Sequence, residues 1–97
     1  MQVTITGRHL AVTESVRELV ISKMEKLSRV FGRVHDVRVV LTSDGSRFHV
    51  EADAGGSRGV RFSAHAESET LHSAITRAES RIEAQLRRFN DRLRSHR

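Results

Sequence analysis

Arginine makes up seven of the 21 residues from Arg77 to Arg97. A guanidinium stays charged at every physiological pH and offers a planar fork of donors that matches phosphate oxygens. The chemistry such a stretch can do is to hold a polyanion, not to make or break bonds. An α-helix advances about 100° per residue, so each side chain can be placed around the axis. Arg77, Arg81, Arg88 and Arg92 then share one flank of the apolar sector of this helix, and Glu79 and Glu83 share the other. The arginine row is about 22 Å long at about 1.5 Å per residue. Arginines four apart, as in Arg77–Arg81 and Arg88–Arg92, disfavour the helix by about 0.2–0.5 kcal/mol per pair. A helix needing only solubility would interleave its signs, so the segregation points to a phosphate track.

A second helical pattern carries the same kind of segregation. Lys26 and Arg29 lie beside its apolar stripe, Lys23 falls inside the stripe between Leu19 and Leu27, and Glu14, Glu18 and Glu25 occupy another sector. An aliphatic lysine stem can run along apolar surface while its ammonium reaches water, here toward the basic flank. The six histidines, His9, His35, His49, His65, His72 and His96, are the remaining residues able to bind metal or move protons. His49 and His65 can meet across neighbouring strands with Glu51 and Glu67 nearby. No HExxH, paired-carboxylate or nucleophile signature accompanies them, and exposed strand histidines are ordinary surface residues. The expectation is a chain without catalytic residues, metal or other cofactor.

The elements that must position these residues follow from periodicity. Gln2 to Thr6 alternates as a short strand, and Thr13 caps a helix from Glu14 to about Phe31, stopped near Gly32. Val37 to Thr42 is apolar on both faces, as in a covered central strand. After the turn "SDGS", Phe48, Val50, Ala52 and Ala54 alternate with polar residues. After "GGSRG", Val60, Phe62, Ala64 and Ala66 do the same. From about Glu69 the period becomes helical through Leu71, Ala74, Ile75, Ala78, Ile82, Leu86, Phe89 and Leu93. The order β-α-β-β-β-α predicts an α+β two-layer sandwich. Its four-stranded sheet should carry both helices on one face, with the first strand parallel to the second.

Composition agrees with that scale. Ninety-seven residues suit one small domain, 1–97, and the net charge of +5 favours a polyanionic partner. Fifteen of the seventeen basic residues are arginine, and cysteine is absent. No apolar run is long enough for a membrane span and the N-terminus has no signal-peptide pattern, so a cytoplasmic chain is expected. RNA is favoured over DNA because helix-turn-helix, zinc-finger and basic-zipper spacings are missing. Phe31, Phe48, Phe62 and Phe89 all fall on core faces, which argues against base stacking on single strands. Basic helix flanks on an α/β sandwich suit backbone recognition by shape, as in double-stranded-RNA-binding domains.

Taken in order, these segments resemble the bacterial ribosome hibernation promoting factors, a family also called ribosome-associated inhibitor A or sigma-54 modulation protein. "ITGRHLAVTESVRELVISKMEKL" looks like the family's strand–loop–helix opening, I-x-G-x-x-x-x-x-T. "DVRVVL", the hairpin "FHVEADA" and "VRFSAHAES", and the helix "AITRAESRIEAQLRRFNDRL" are similar in order and spacing. The resemblance implies a domain shaped like the double-stranded-RNA-binding fold. It also implies binding to the small ribosomal subunit and intact ribosomes, across the tRNA and mRNA sites of the decoding region. Translation would stop there while the idle ribosome is protected. Lys23, Lys26, Arg29, Arg81, Arg88 and Arg92 match basic positions of the family, and helical geometry adds Arg77 and Arg87. Arg8, a lone loop arginine, is a lesser candidate. The chain looks like the family's short type, although the N-terminal domain of a longer protein would look the same.

Three rival readings remain at this level. One is a general duplex-RNA module without ribosome specificity, which would bind every RNA with steep salt dependence. Another is an enzyme or metal site built on the strand histidines. The third is self-association through the exposed sheet face. The charge on that face argues against a large dry interface, so a monomer with at most weak dimerisation is expected, without small-molecule substrate or membrane partner.

Overall fold

Alternation of apolar and polar residues builds the sheet, and the 3.6-residue period builds the two helices that cover it. The computed structural model describes residues 1–32 and 34–95. Strand β1 (Gln2–Arg8) leads to helix α1 (Glu14–Phe31), then β2 (Val34–Ser43), β3 (Phe48–Gly56) and β4 (Arg61–Ser68), and α2 (Leu71–Ser95) closes the chain. A single 3₁₀ turn, Ser57–Gly59, lies between β3 and β4. The sheet order is β1-β2-β3-β4; β1 runs parallel to β2, and the other pairs are antiparallel. The fold class, the element order and the parallel first pair are those expected from the sequence.

Helix α1 begins and ends where its capping residues dictate. Thr13 has extended backbone, and its hydroxyl accepts a hydrogen bond from the Val16 amide at 3.3 Å. Gly32 adopts the left-handed conformation (φ 66°) and donates to the Ser28 carbonyl at 2.9 Å, closing the last turn. The sequence places the start of α2 one to two residues early. Thr70 caps it by accepting from the Ser73 amide at 3.2 Å, so the helix proper starts at Leu71.

One core joins both layers. Val37, Val39 and Leu41 of β2 face Ala54, Ala52 and Val50 of β3 in register, and Val20, Met24 and Leu27 of α1 and Ala74, Ile75, Ala78, Ile82 and Leu86 of α2 pack over them. Each fully buried large aliphatic contributes about 1.5–3 kcal/mol relative to exposure. Phe62 of β4 meets Phe89 of α2 edge to face, with ring centroids 5.5 Å apart.

The expectation that β2 is covered on both faces does not hold. Val37, Val39 and Leu41 are buried, but Arg38 is exposed and Val40 only half-buried on the open face. Both helices lie on the other side, and Val40 is sheltered only by its neighbours in the sheet, opposite Glu51 on β3 and Thr6 on β1. Strand β2 is also longer than its apolar run, because the hairpin continues to Val34↔Gly56 past an irregularity between Val34 and Asp36.

Candidate nucleic-acid interface

The link between β4 and α2 is only residues 69 and 70, so the helix turns back along the strand it has just left. Strand β4 is a sheet edge, and its outward carbonyls have no strand to accept from. Four residues of helix rise about 6 Å, and two residues of strand advance about 6.8 Å. A polar row spaced by four on the helix can therefore keep step with alternate carbonyls of the strand. Arg77 Nη1 donates to the Glu67 carbonyl at 3.0 Å, Arg81 Nη1 to the His65 carbonyl, and Gln85 Nε2 to the Ser63 carbonyl at 2.6 Å. The row blocks further strand pairing at that edge and fixes the direction of two guanidiniums. Each guanidinium carries five N–H donors, so Arg77 and Arg81, each with a guanidinium N–H to spare beyond the strand carbonyl it holds, keep donors for an outside partner. Arg88 and Arg92 continue the row on the exposed end of the helix.

The other flank of α2 faces α1. Glu83 accepts from Arg87 Nη2 at 2.7 Å and lies 3.6 Å from the Lys26 ammonium. Glu79 is only 3% exposed, and its Oε2 has no hydrogen-bond partner. Burial pushes the Glu79 carboxyl up, reinforced by its hydrogen bond to Glu83, while the charges of Lys26 and Lys23 act in the opposite sense. The Arg87 hydrogen bond holds Glu83 below the ordinary carboxylate range. Lys23 is half-buried, as a lysine within an apolar stripe must be, and Lys26 and Arg29 are exposed.

The eight candidate residues thus fall into two groups. Arg77, Arg81, Arg88 and Arg92 line the β4 side of α2. Arg87 sits about a third of a turn away, paired with Glu83, which also lies beside Lys26 of α1. Arg8 ends β1 opposite Thr42, away from both groups. Sequence reasoning missed the second task of Arg77 and Arg81 as edge caps, together with Gln85 altogether. The short β4–α2 link was the signal that could have found them. It also missed that the acidic flank of α2 meets the basic flank of α1.

The open sheet face is occupied by internal pairs. Arg61 donates to Asp53 at 2.8 Å and the Ser63 hydroxyl donates to the same carboxylate at 3.2 Å. His49 lies 2.6 Å from Asp44 and 3.3 Å from Glu67 through its two ring nitrogens, and its ring stacks on His65 with centroids 5.5 Å apart. The His49 hydrogen bond, with the Arg47 amide, lowers Asp44 to about 2. The two histidines do meet, but no group of three or more metal-ligating side chains with a metal-holding arrangement occurs among the described residues. Among the described residues, five arginines on or beside the sheet (Arg8, Arg38, Arg47, Arg58, Arg61) meet five carboxylates (Asp36, Asp44, Glu51, Asp53, Glu67). Helix α2 carries six arginines against three carboxylates. The positive charge of the molecule is therefore concentrated on the helix layer. Among the described residues no helix is long and apolar enough to cross a membrane.

The four-stranded sheet with two helices on one face is a fold that this chain shares with solved structures. Residues 3–94 match the family described as sigma 54 modulation protein / S30EA ribosomal protein, and the chain belongs to that family. It is 33% identical to the ribosome hibernation promoting factor of Salmonella typhimurium, over 99% of this chain and 100% of that one. It is 34% identical to the factor of the same name from Escherichia coli K12, over 99% and 100% of the two chains. The Thermus thermophilus Protein Y N-terminal domain superposes with a TM-score of 0.83 at 30% identity, covering 92% of this chain and 99% of that one. A ribosomal subunit interface protein from Coxiella burnetii shares the fold with a TM-score of 0.85 at 19% identity, covering 94% and 99%.

Proposed function

We propose that residues 1–97 act as one ribosome-binding domain of a cytoplasmic hibernation factor. It binds the small subunit at the decoding region, excludes tRNA and mRNA, and stabilises idle ribosomes. The observation that carries this reading is the arginine row of α2, held in direction by the β4 edge, on a chain that belongs to a family with hibernation factors among its members. Arg77, Arg81, Arg88 and Arg92 contact rRNA phosphates on one side of α2. Lys23, Lys26, Arg29 and Arg87 supply the contacts from the α1 side. The mechanism is occupancy: charge-assisted hydrogen bonds to the backbone hold the domain where the translation ligands would sit. It needs no cofactor and no bond chemistry.

Sedimentation with vacant ribosomes, separated subunits and a generic RNA duplex at near-physiological salt tests it. Saturable binding to small subunits and ribosomes, lost when tRNA and mRNA fill the decoding sites, is the expected result. A heavier ribosome-dimer peak would assign a promoting role as well. Equal binding to every RNA would overturn the reading and leave a general RNA-binding module.

A further inference from the structure

Glu79 occupies a position where an aliphatic side chain would pack at lower cost. It borders Ile75, Ile82 and Leu86, all buried, and yet it is a carboxyl 3% exposed with one oxygen unpartnered. One turn on, Glu83 has a side chain 14% exposed and lies between the Lys26 ammonium and the Arg87 guanidinium. Both carboxyls lie roughly opposite the arginine row around the α2 axis. The helix layer therefore carries basic side chains on two sides with negative charge set between them. Across α2 the two sides are about 10 Å apart.

On the footing that the chain binds rRNA, we propose that Glu79 and Glu83 are specificity-determining residues. They keep a single phosphate from settling between Lys26 and Arg87, so that one backbone segment follows the β4-side arginine row and another passes the outward sides of Arg87 and the α1 basic residues. A phosphate entering the groove would have to displace Glu83 from Lys26 and Arg87 and would face a second carboxyl behind it. The partner that fits is RNA folded so that two backbone segments pass on either side of the acidic pair. A regular duplex or a flexible strand, which would settle into one continuous basic groove, is disfavoured. Specificity of this kind comes from repulsion of the wrong partner as much as from attraction of the right one.

The test uses Glu83→Gln, Glu79→Gln and the double variant, each preserving side-chain shape. Dissociation constants for a generic RNA duplex and for vacant small subunits are measured in one buffer over a salt series. Removing the Glu83 charge, alone or with Glu79→Gln, should tighten duplex binding by about ten-fold at low salt and change small-subunit binding by less than about two-fold, so the preference for the subunit falls. If both affinities move together in step with a lowered melting temperature, the carboxyls are only structural staples and the proposal fails. Glu83→Gln, at the less buried position, keeps the test available should the Glu79 variants not fold. A wild-type chain with no preference for subunit over duplex would sink the hibernation reading. A wild-type preference that survives unchanged in well-folded variants would sink the specificity role alone.

Discussion

Replacing Arg81, Arg88 and Arg92 together by Ala should leave a folded protein whose ribosome binding is weaker and less sensitive to salt. The three lie on one flank of α2 between positions 81 and 92, about 17 Å of helix. Every phosphate left without its guanidinium lowers the slope of log K against log salt by about 0.7–0.9, so the triple change takes about 2–3 from it. Between 50 and 200 mM salt, the gap between wild type and variant should therefore narrow by about 20–40-fold. Folding has little reason to suffer at Arg88, which is exposed. Alanine is the better helix former, and removing the Arg88–Arg92 repulsion returns about 0.2–0.5 kcal/mol. Arg81 differs, because its guanidinium also holds the His65 carbonyl at the β4 edge, a contribution of about 1 kcal/mol. An Arg88→Ala variant separates the two effects: its melting temperature should not fall, and its slope should drop by about 0.7–0.9. Fluorescence-anisotropy titrations against small subunits across the salt series, with thermal melts in parallel, provide the readout. An unchanged slope in the triple variant, or binding equal to wild type at every salt, would refute the phosphate track.

Gly7→Ala would set a Cβ 2.6 Å from the Leu10 carbonyl oxygen and 2.9 Å from Val12 Cγ2. Urea denaturation should show destabilisation by about 1–3 kcal/mol, with the loop between β1 and α1 forced to shift. Asp44 titrates at about 2 in the folded chain against an ordinary 3.8, so its stabilising effect is present above 3.8 and lost as pH falls toward 2. Asp44→Asn should be less stable than wild type at neutral pH, and melts between pH 5 and 2 should show that deficit closing. Glu79 has the opposite sign: the folded protein holds its proton more tightly than the unfolded chain, so wild type loses stability as pH rises from 4.5 through the raised value. Glu79→Gln should flatten that part of the stability curve, with Lys23, Lys26 and Glu83 as the charges it still faces.

Elements and their order were legible because periodicity is a local signal. The α1 boundaries coincide with Thr13 and Gly32, whose capping chemistry involves only the residues within one turn. The two polar-faced strands β3 and β4 were legible for the same reason. Strand β2 was not, because Val40 reads as buried wherever apolar residues adjoin, and only the placement of both helices on one side exposes it. Its extension to Val34 depends on pairing with Gly56, a partner 22 residues away.

The basic residues show the same division. Helical spacing alone establishes that Arg77, Arg81, Arg88 and Arg92 form a row and that Glu79 and Glu83 lie off it, since angle around an axis follows from residue number. What the row touches does not. That Arg77, Arg81 and Gln85 grip the carbonyls of β4, and that Glu83 joins Lys26 to Arg87, are decided when α2 settles between the sheet edge and α1. Charge and period are properties of one segment. Partners are properties of two segments far apart in the chain, and only the packed core brings those segments to hydrogen-bonding distance.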